Sequence, residues 1–170
     1  MADENGLFAA HHRRLFQYFC RAVGHAETAR DLTQDVFLRV SRVSTPPSSN
    51  GHARAWLFLI ARNIALDHHR ARLRRPESTP LADVGSKPAS QDVGAAVNQA
   101  LATLDALDRD VFLMREVSGL GYDEIARACE LTPDAVRSRI HRARLQLREQ
   151  LAAPIATQRT VAMRRSGRTV

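Results

Sequence analysis

Apolar residues recur at three- and four-residue intervals through most of this chain, and nowhere do they alternate with polar ones at a period of two. Leu7, Phe8, Leu15, Phe16 and Phe19 form a first stripe. Ala29, Leu32, Val36, Phe37 and Val40 form a second, with Thr28 or Asp31 placed to open its helix. The run Ser44–Gly51 (STPPSSNG) holds only turn-favouring residues and predicts a loop. A third helix is expected from about Ala53 to Arg74. Trp56, Leu57, Ile60, Ile64 and Leu66 supply its apolar positions, Trp56 reading as a core aromatic. Arg70, Arg72, Arg74 and Arg75 gather at its end, where cations complement the helix dipole.

Periodicity then stops. Between Pro76 and Asp92, proline, glycine, serine and threonine dominate (Pro76, Ser78, Thr79, Pro80, Gly85, Ser86, Pro88, Ser90), a composition that buries too little apolar surface to offset its ordering entropy. The segment reads as a flexible linker with an extended reach of ~55 Å. Helical spacing resumes with Val97, Leu101 and Leu104, and again with Val111, Phe112 and Met114 behind Asp108. Gly119-Leu120-Gly121 breaks the chain. The fold expected is all-α: two small helical domains, 1–75 and 93–153, joined by the linker 76–92 and followed by a disordered basic tail, 154–170.

The second half carries the more telling arrangement. A short helix, Asp123–Glu130, with Ile125, Ala126 and Cys129 inward, is followed by the turn Leu131-Thr132 and a helix from Pro133 to about Leu151. Thr132 suits the N-cap and Pro133 the first helical position. Val136, Ile140, Ala143 and Leu147 fall on one side at about 100° per residue. The other side presents Asp134, Arg137, Ser138, His141 and Arg142, with Arg144 and Arg148 beyond. This is the layout of a helix-turn-helix, in which inward residues fix the helix and outward donors reach base edges and phosphates. A solvated basic face on a plain bundle helix would share much of this pattern.

Charge and composition narrow the choice. The 170 residues hold 25 Lys+Arg against 18 Asp+Glu, a formal +7, and Lys87 is the only lysine. Arg159, Arg164, Arg165 and Arg168 concentrate positive charge in the tail. The longest apolar run, Ala55–Ala61 (AWLFLIA), is about a third of a membrane span, and no secretory signal pattern opens the chain. Cys20 and Cys129 lack any partner spacing and read as small buried hydrophobes, which fits a cytoplasmic protein without disulfides. The adjacent pairs His11-His12 and His68-His69 point to different helix faces and are expected to be exposed; no metal site and no cofactor is expected. Phosphate loops, GxSxG and HExxH are absent, so no enzyme is expected.

Three segments, taken in order, resemble a known family. Asp31-Leu-Thr-Gln-Asp-Val-Phe-Leu-Arg39, then Ala55-Trp-Leu-Phe-Leu-Ile-Ala-Arg-Asn63 with Asp67, then Gly121-Tyr-Asp-Glu-Ile-Ala126 with Val136-Arg-Ser-Arg-Ile-His-Arg-Ala-Arg144, are similar to the extracytoplasmic-function sigma factors of bacterial RNA polymerase, within the sigma-70 family. The resemblance spans roughly residues 7–151. It implies a promoter-specificity subunit that binds core RNA polymerase and promoter DNA and is held by an anti-sigma factor.

Carried onto this sequence, the resemblance assigns −35 recognition to Arg137, Ser138, His141 and Arg142, with Arg139, Arg144 and Arg148 on phosphates. It assigns the −10 element to Asn63, whose amide can both donate and accept, to Arg62 and Arg70 on the backbone, to Asp67, and to part of the loop Thr45–His52. Asp31, Gln34, Asp35, Leu38 and Arg39 form the face that docks on the polymerase. Three positions depart from the family pattern. Gly121 stands where Ser or Thr caps the helix, Glu130 replaces the turn glycine, and Asp134-Ala135 replaces a Gly-Thr pair; Asp134 would repel phosphates or select a cytosine amino group. Two other readings are a stand-alone helix-turn-helix regulator, which predicts tight duplex binding by the chain alone, and a mimic that sequesters a regulator, which has no need of DNA-facing groups.

Overall fold

A computed structural model describes the backbone of residues 4–44, 47, 50–74 and 90–166, and the side chains of residues 6, 10–44, 47, 51–74 and 94–152. Seven helices follow in chain order among these residues: α1 (Glu4–Val23), α2 (Ala26–Val40), α3 (Asn50–Arg74), α4 (Ser90–Ala102), α5 (Ala106–Glu116), α6 (Tyr122–Cys129) and α7 (Pro133–Ser166). The all-α expectation holds. Leu7 and Phe8 of the first stripe, most of the linker and part of the Ser44–Gly51 loop lie outside the described side chains or residues.

In the first half, α1, α2 and α3 pack on one another. Gly24, at φ +80, ends α1 by sending its N–H to the Cys20 carbonyl at 3.1 Å, a left-handed cap that glycine adopts without strain. With Gly24 breaking the chain, α2 begins at Ala26, ahead of Thr28 and Asp31, and His25 is its extended N-cap residue. Ala29, Leu32, Val36 and Val40 are buried as the spacing predicts. Thr33 is buried among them because its Oγ1 bonds back to the Ala29 carbonyl at 2.6 Å. From α3, Leu57, Phe58, Ala61 and Ile64 face inward toward Tyr18 and Phe19 of α1. Trp56 is half-buried against this core. Phe58 and Tyr18, neither evident from the stripes, are fully buried and meet edge to face at 5.8 Å.

The second half is organised by α7, which lies across α4, α5 and α6. Helix α4 starts at Ser90 and takes up the last three residues of the expected linker. Helix α5 is capped by Asp105, whose Oδ1 accepts the N–H of Leu107 at 3.0 Å, so Asp108 lies inside the helix rather than opening it. Val136, Ile140, Ala143 and Leu147 are all buried. Helix α7 does not stop near Leu151 but continues to Ser166, through most of the tail expected to be disordered. Ala152, Ala153, Ala156 and Ala162 favour helix, and no glycine interrupts before Gly167.

The two halves are packed together rather than held apart: α3 lies against α6 and α1 against α5, and their buried residues form one continuous core. At the turn of the helix-turn-helix, Glu130 has φ 56, and it is the only non-glycine residue with positive φ among those described. Its side chain is exposed, so it gains nothing that offsets a left-handed backbone. Glu130→Gly is expected to stabilise the chain by about 1 kcal/mol and raise the melting temperature by about 2–4 °C in a thermal melt.

Candidate nucleic-acid interface

The entry to α7 is built as its sequence predicts. Thr132 Oγ1 accepts the N–H of Ala135 at 3.2 Å, and Pro133 takes the first helical position. Gly121 offers α6 no side-chain cap, yet Glu124 reaches back to its N–H at 2.7 Å, which closes one of the open donors at that helix start. Tyr122 lies beneath two guanidinium groups, Arg115 at 4.6 Å and Arg137 at 5.2 Å from the ring centre.

Outward from the α7 seam, Arg137, Ser138, His141 and Arg142 line a shallow open groove, and Arg148 is exposed further along. The charges on this face are distributed by local pairing. Arg137 binds Asp134 at 2.6 Å, so Asp134 is neutralised within the helix instead of standing alone toward an incoming phosphate. Arg144 pairs with Glu116 of α5, a contact that raises its pKa. Arg139, assigned to phosphates by resemblance, is instead drawn inward: its Nη1 lies 2.6 Å from the mostly buried carboxylate of Asp108. Arg142 keeps a second, longer contact with Asp108 while its side chain stays 62% exposed. The groove therefore offers a hydroxyl, an imidazole and two arginine forks to a ligand rich in acceptors.

On α3, Asn63, Asp67 and Arg70 are exposed and share one face, with Arg70 3.6 Å from Asp67. Arg62 is rotated about 100° from Asn63 and does not join them. Its Nε donates to Asp110 Oδ2 of α5 at 3.1 Å, and the Tyr18 hydroxyl donates to Asp110 Oδ1 at 3.3 Å. Alongside, Arg54 reaches Glu124 at 3.2 Å and the Gly119 carbonyl at 2.9 Å. Sequence reasoning missed Asp110, although it stands with Leu107, Val111 and Met114 at helical spacing, which puts a carboxylate in an apolar slot. Burial pushes the Asp110 carboxyl up, against Arg62 and Arg109, and pushes the Tyr18 hydroxyl well above its ordinary range.

On α2, Asp31, Gln34, Asp35, Leu38 and Arg39 are all exposed on the side opposite the buried stripe. Leu38 is 56% exposed, a large apolar side chain presented among charges. That combination is suited to covering by another protein.

Two expectations about histidine and cysteine divide. Cys129 is buried and its thiol is pushed up to about 11 by burial, so it is an inert packing residue; Cys20 is half-buried. His11, expected at the surface, is only 4% exposed. Burial lowers its pKa, Arg54 and Arg14 add repulsion, and Glu124 opposes them. A histidine that is neutral in the fold but protonates near 6.5 when unfolded adds stability that is present above about pH 6.5 and lost as pH falls below it. The urea midpoint is thus expected to drop between pH 7.5 and 5.5, and His11→Gln should flatten that drop. Among the described residues no cluster of His, Cys, Asp and Glu is placed to hold a metal, and no helix is long and apolar enough to cross a membrane.

Comparison with known proteins agrees with this layout. The family model for sigma-70 region 2 matches residues 7–75, and that for sigma-70 region 4 matches residues 95–147. The chain is 35% identical over 162 residues to ECF RNA polymerase sigma factor SigE of Mycolicibacterium smegmatis, covering 89% of this chain and 63% of that protein. It therefore spans somewhat less than two thirds of SigE. It is 32% identical over 150 residues to ECF RNA polymerase sigma factor SigL of Mycobacterium tuberculosis, covering 84% and 85% of the two chains. Among solved structures, CnrH in complex with the cytosolic domain of CnrY superposes with a TM-score of 0.68 at 29% identity, over 88% of each chain. The sigma factor RpoE in complex with the anti-sigma factor NepR from Bartonella quintana gives 0.68 at 27% identity, over 89% of this chain and 98% of that one.

Proposed function

Because this chain belongs to the extracytoplasmic-function sigma factors of the sigma-70 family, we propose that it docks on core RNA polymerase and directs it to a particular set of promoters. The observation that carries this is the ordered pair of family regions, 7–75 and 95–147, each presenting exposed polar helix faces. Domain boundaries at 1–75 and 93–153 follow the same division.

In this reading the α2 face (Asp31, Gln34, Asp35, Leu38, Arg39) meets the polymerase, with Leu38 giving up its exposed surface there. The face of α3 bearing Asn63, Asp67 and Arg70 meets the −10 element, and Arg62 joins it once released from Asp110. The α7 groove enters the major groove at −35, with Arg137, Ser138, His141 and Arg142 toward base edges and Arg144 and Arg148 toward phosphates. The chain supplies binding free energy for strand opening and carries out no chemistry of its own. It works in the cytoplasm, where promoter DNA and polymerase are, and needs no cofactor. An anti-sigma factor is the expected inhibitor, since solved relatives CnrH and RpoE are each seen with a bound partner. A stand-alone helix-turn-helix regulator is disfavoured by the region 2 match over residues 7–75, which such a regulator does not require.

Run-off transcription with purified core polymerase and a promoter library tests this. Specific initiation is expected only when chain and core are both present. Arg142→Ala should relax the −35 preference, and Asn63→Ala should impair opening more than closed-complex binding. Parental initiation by both variants on every template would overturn the residue roles, and an unchanged choice of start sites on adding the chain would overturn the function.

A further inference from the structure

We propose that Asp108 is a positioning residue for promoter selection: its carboxylate holds one edge of the Arg142 guanidinium and so fixes the direction in which the other edge addresses a base. This rests on α7 being the −35 helix.

Asp108 is on α5 and only 8% exposed, yet it is reached from α7 by two arginines. Oδ1 accepts from Arg139 Nη1 at 2.6 Å and from Arg142 Nη2 at 3.4 Å, while Oδ2 lies 3.4 Å from Arg142 Nε. The two arginines are not equivalent. Arg139 makes the short contact and is largely covered; it neutralises the carboxylate and holds its rotamer. Arg142 meets the carboxylate side-on, through Nε and Nη2 together, and projects into the groove with Arg137, Ser138 and His141. A guanidinium is a rigid planar fork of five N–H groups, so fixing the Nε–Nη2 edge also fixes where Nη1 points. A free arginine on a helix surface reaches either a phosphate or a base; one tied at its inner edge is confined to the groove it faces.

A purely structural tie between α5 and α7 would leave the same contacts, but the two roles differ in the base profile. If Asp108 merely joins helices, removing its charge changes binding to all sequences alike and the −35 profile stays as it was. If it aims Arg142, removing its charge frees an arginine to sample phosphates. Affinity for sequence-neutral duplex then rises and its salt dependence steepens, while discrimination at one −35 position falls.

The test uses holoenzyme formed from the full chain and core polymerase on a library with a randomised −35 element, read by sequencing transcripts. Binding of the chain to promoterless duplex is measured in parallel across salt. Asp108→Asn is expected to lower discrimination about fivefold to tenfold at the position that Arg142→Ala also flattens. It should tighten promoterless binding severalfold, with a salt slope steeper by about one. The double variant should match Arg142→Ala alone in its base profile. Asp108→Glu keeps the charge but moves the fork, so it should alter the base profile at an unchanged melting temperature, which guards against loss of folding. A uniform fall in initiation with the base profile intact, or weaker promoterless binding, overturns the proposal. If the parent itself ignores the −35 sequence, the reading of α7 fails and this inference falls with it; if Arg142→Ala shifts the profile and neither Asp108 variant does, only the inference fails.

Discussion

Phe58→Ala is expected to remove about 4 kcal/mol of stability, a quarter or more of the about 5–15 kcal/mol that a domain has in total. The ring is fully buried in α3 and packs edge to face on Tyr18, which in turn meets Phe19 edge to face at 5.4 Å. Truncation would leave a cavity at the junction of α1 and α3 that neither helix can close without moving its neighbours. Urea unfolding followed by far-UV circular dichroism should show the midpoint collapse, and the melting temperature should fall by about 10 °C or more. Phe58→Leu keeps an apolar filling and should lose less than half as much. A loss below about 1 kcal/mol for the alanine variant would mean that this ring is not packed as described.

Asp110→Ala should have the second-largest effect, about 3 kcal/mol at pH 7. Its carboxylate is the common acceptor for Tyr18 and Arg62, so its removal strands a buried hydroxyl and a partly buried guanidinium at once. Arg62 is one-fifth exposed and can regain some water, which holds the loss below that of a fully enclosed pair. Asp110→Asn keeps an acceptor and should cost about 1 kcal/mol. Because burial raises the pKa of Asp110, the folded chain takes up this proton more readily than the unfolded one. Its contribution to stability therefore increases as pH falls through the raised value, opposite in sign to that of His11. Small-angle scattering should show Asp110→Ala to be more extended than the parent, since the lost contacts bridge the two halves. An unchanged radius together with an unchanged midpoint would refute this account of the interface.

What the sequence disclosed and what it withheld follow from the range of the interactions involved. The α7 seam, the Thr132 cap and the Gly119–Gly121 break are set by residues within a turn or two of one another, and each is where the spacing puts it. The apolar spacing points to Asp108 as the residue opening α5, but Asp105 makes the cap and Asp108 is turned to Arg139 and Arg142 of α7. His11 shows the same limit: an adjacent histidine pair carries no sign that the fold buries one of its members, where Arg54, Arg14 and Glu124 act on its charge. Of the candidate site, the α2 residues and Asn63, Asp67 and Arg70 come from the family resemblance, and helical spacing puts each set on one exposed face. The partners of Arg62 and Arg139 were not legible, because each lies more than thirty residues away in sequence. Helix α7 outruns the end expected near Leu151 because the alanines beyond it favour helix and no glycine interrupts them.

Arg62 is turned toward α5 while Asp110 holds its Nε edge, away from the exposed face of Asn63, Asp67 and Arg70. On its proposed role, a molecule in which it grips Asp110 is withheld from the −10 strand, and the two engagements are thermodynamically linked. The measured affinity for a promoter is then the intrinsic affinity multiplied by the fraction of molecules whose halves have parted. Every increment of about 1.4 kcal/mol favouring the packed arrangement lowers that affinity tenfold with no change to any DNA-contacting group. On that proposed role, a substitution far from the nucleic acid, on the α5 side of this junction, would act as a gain control on transcription.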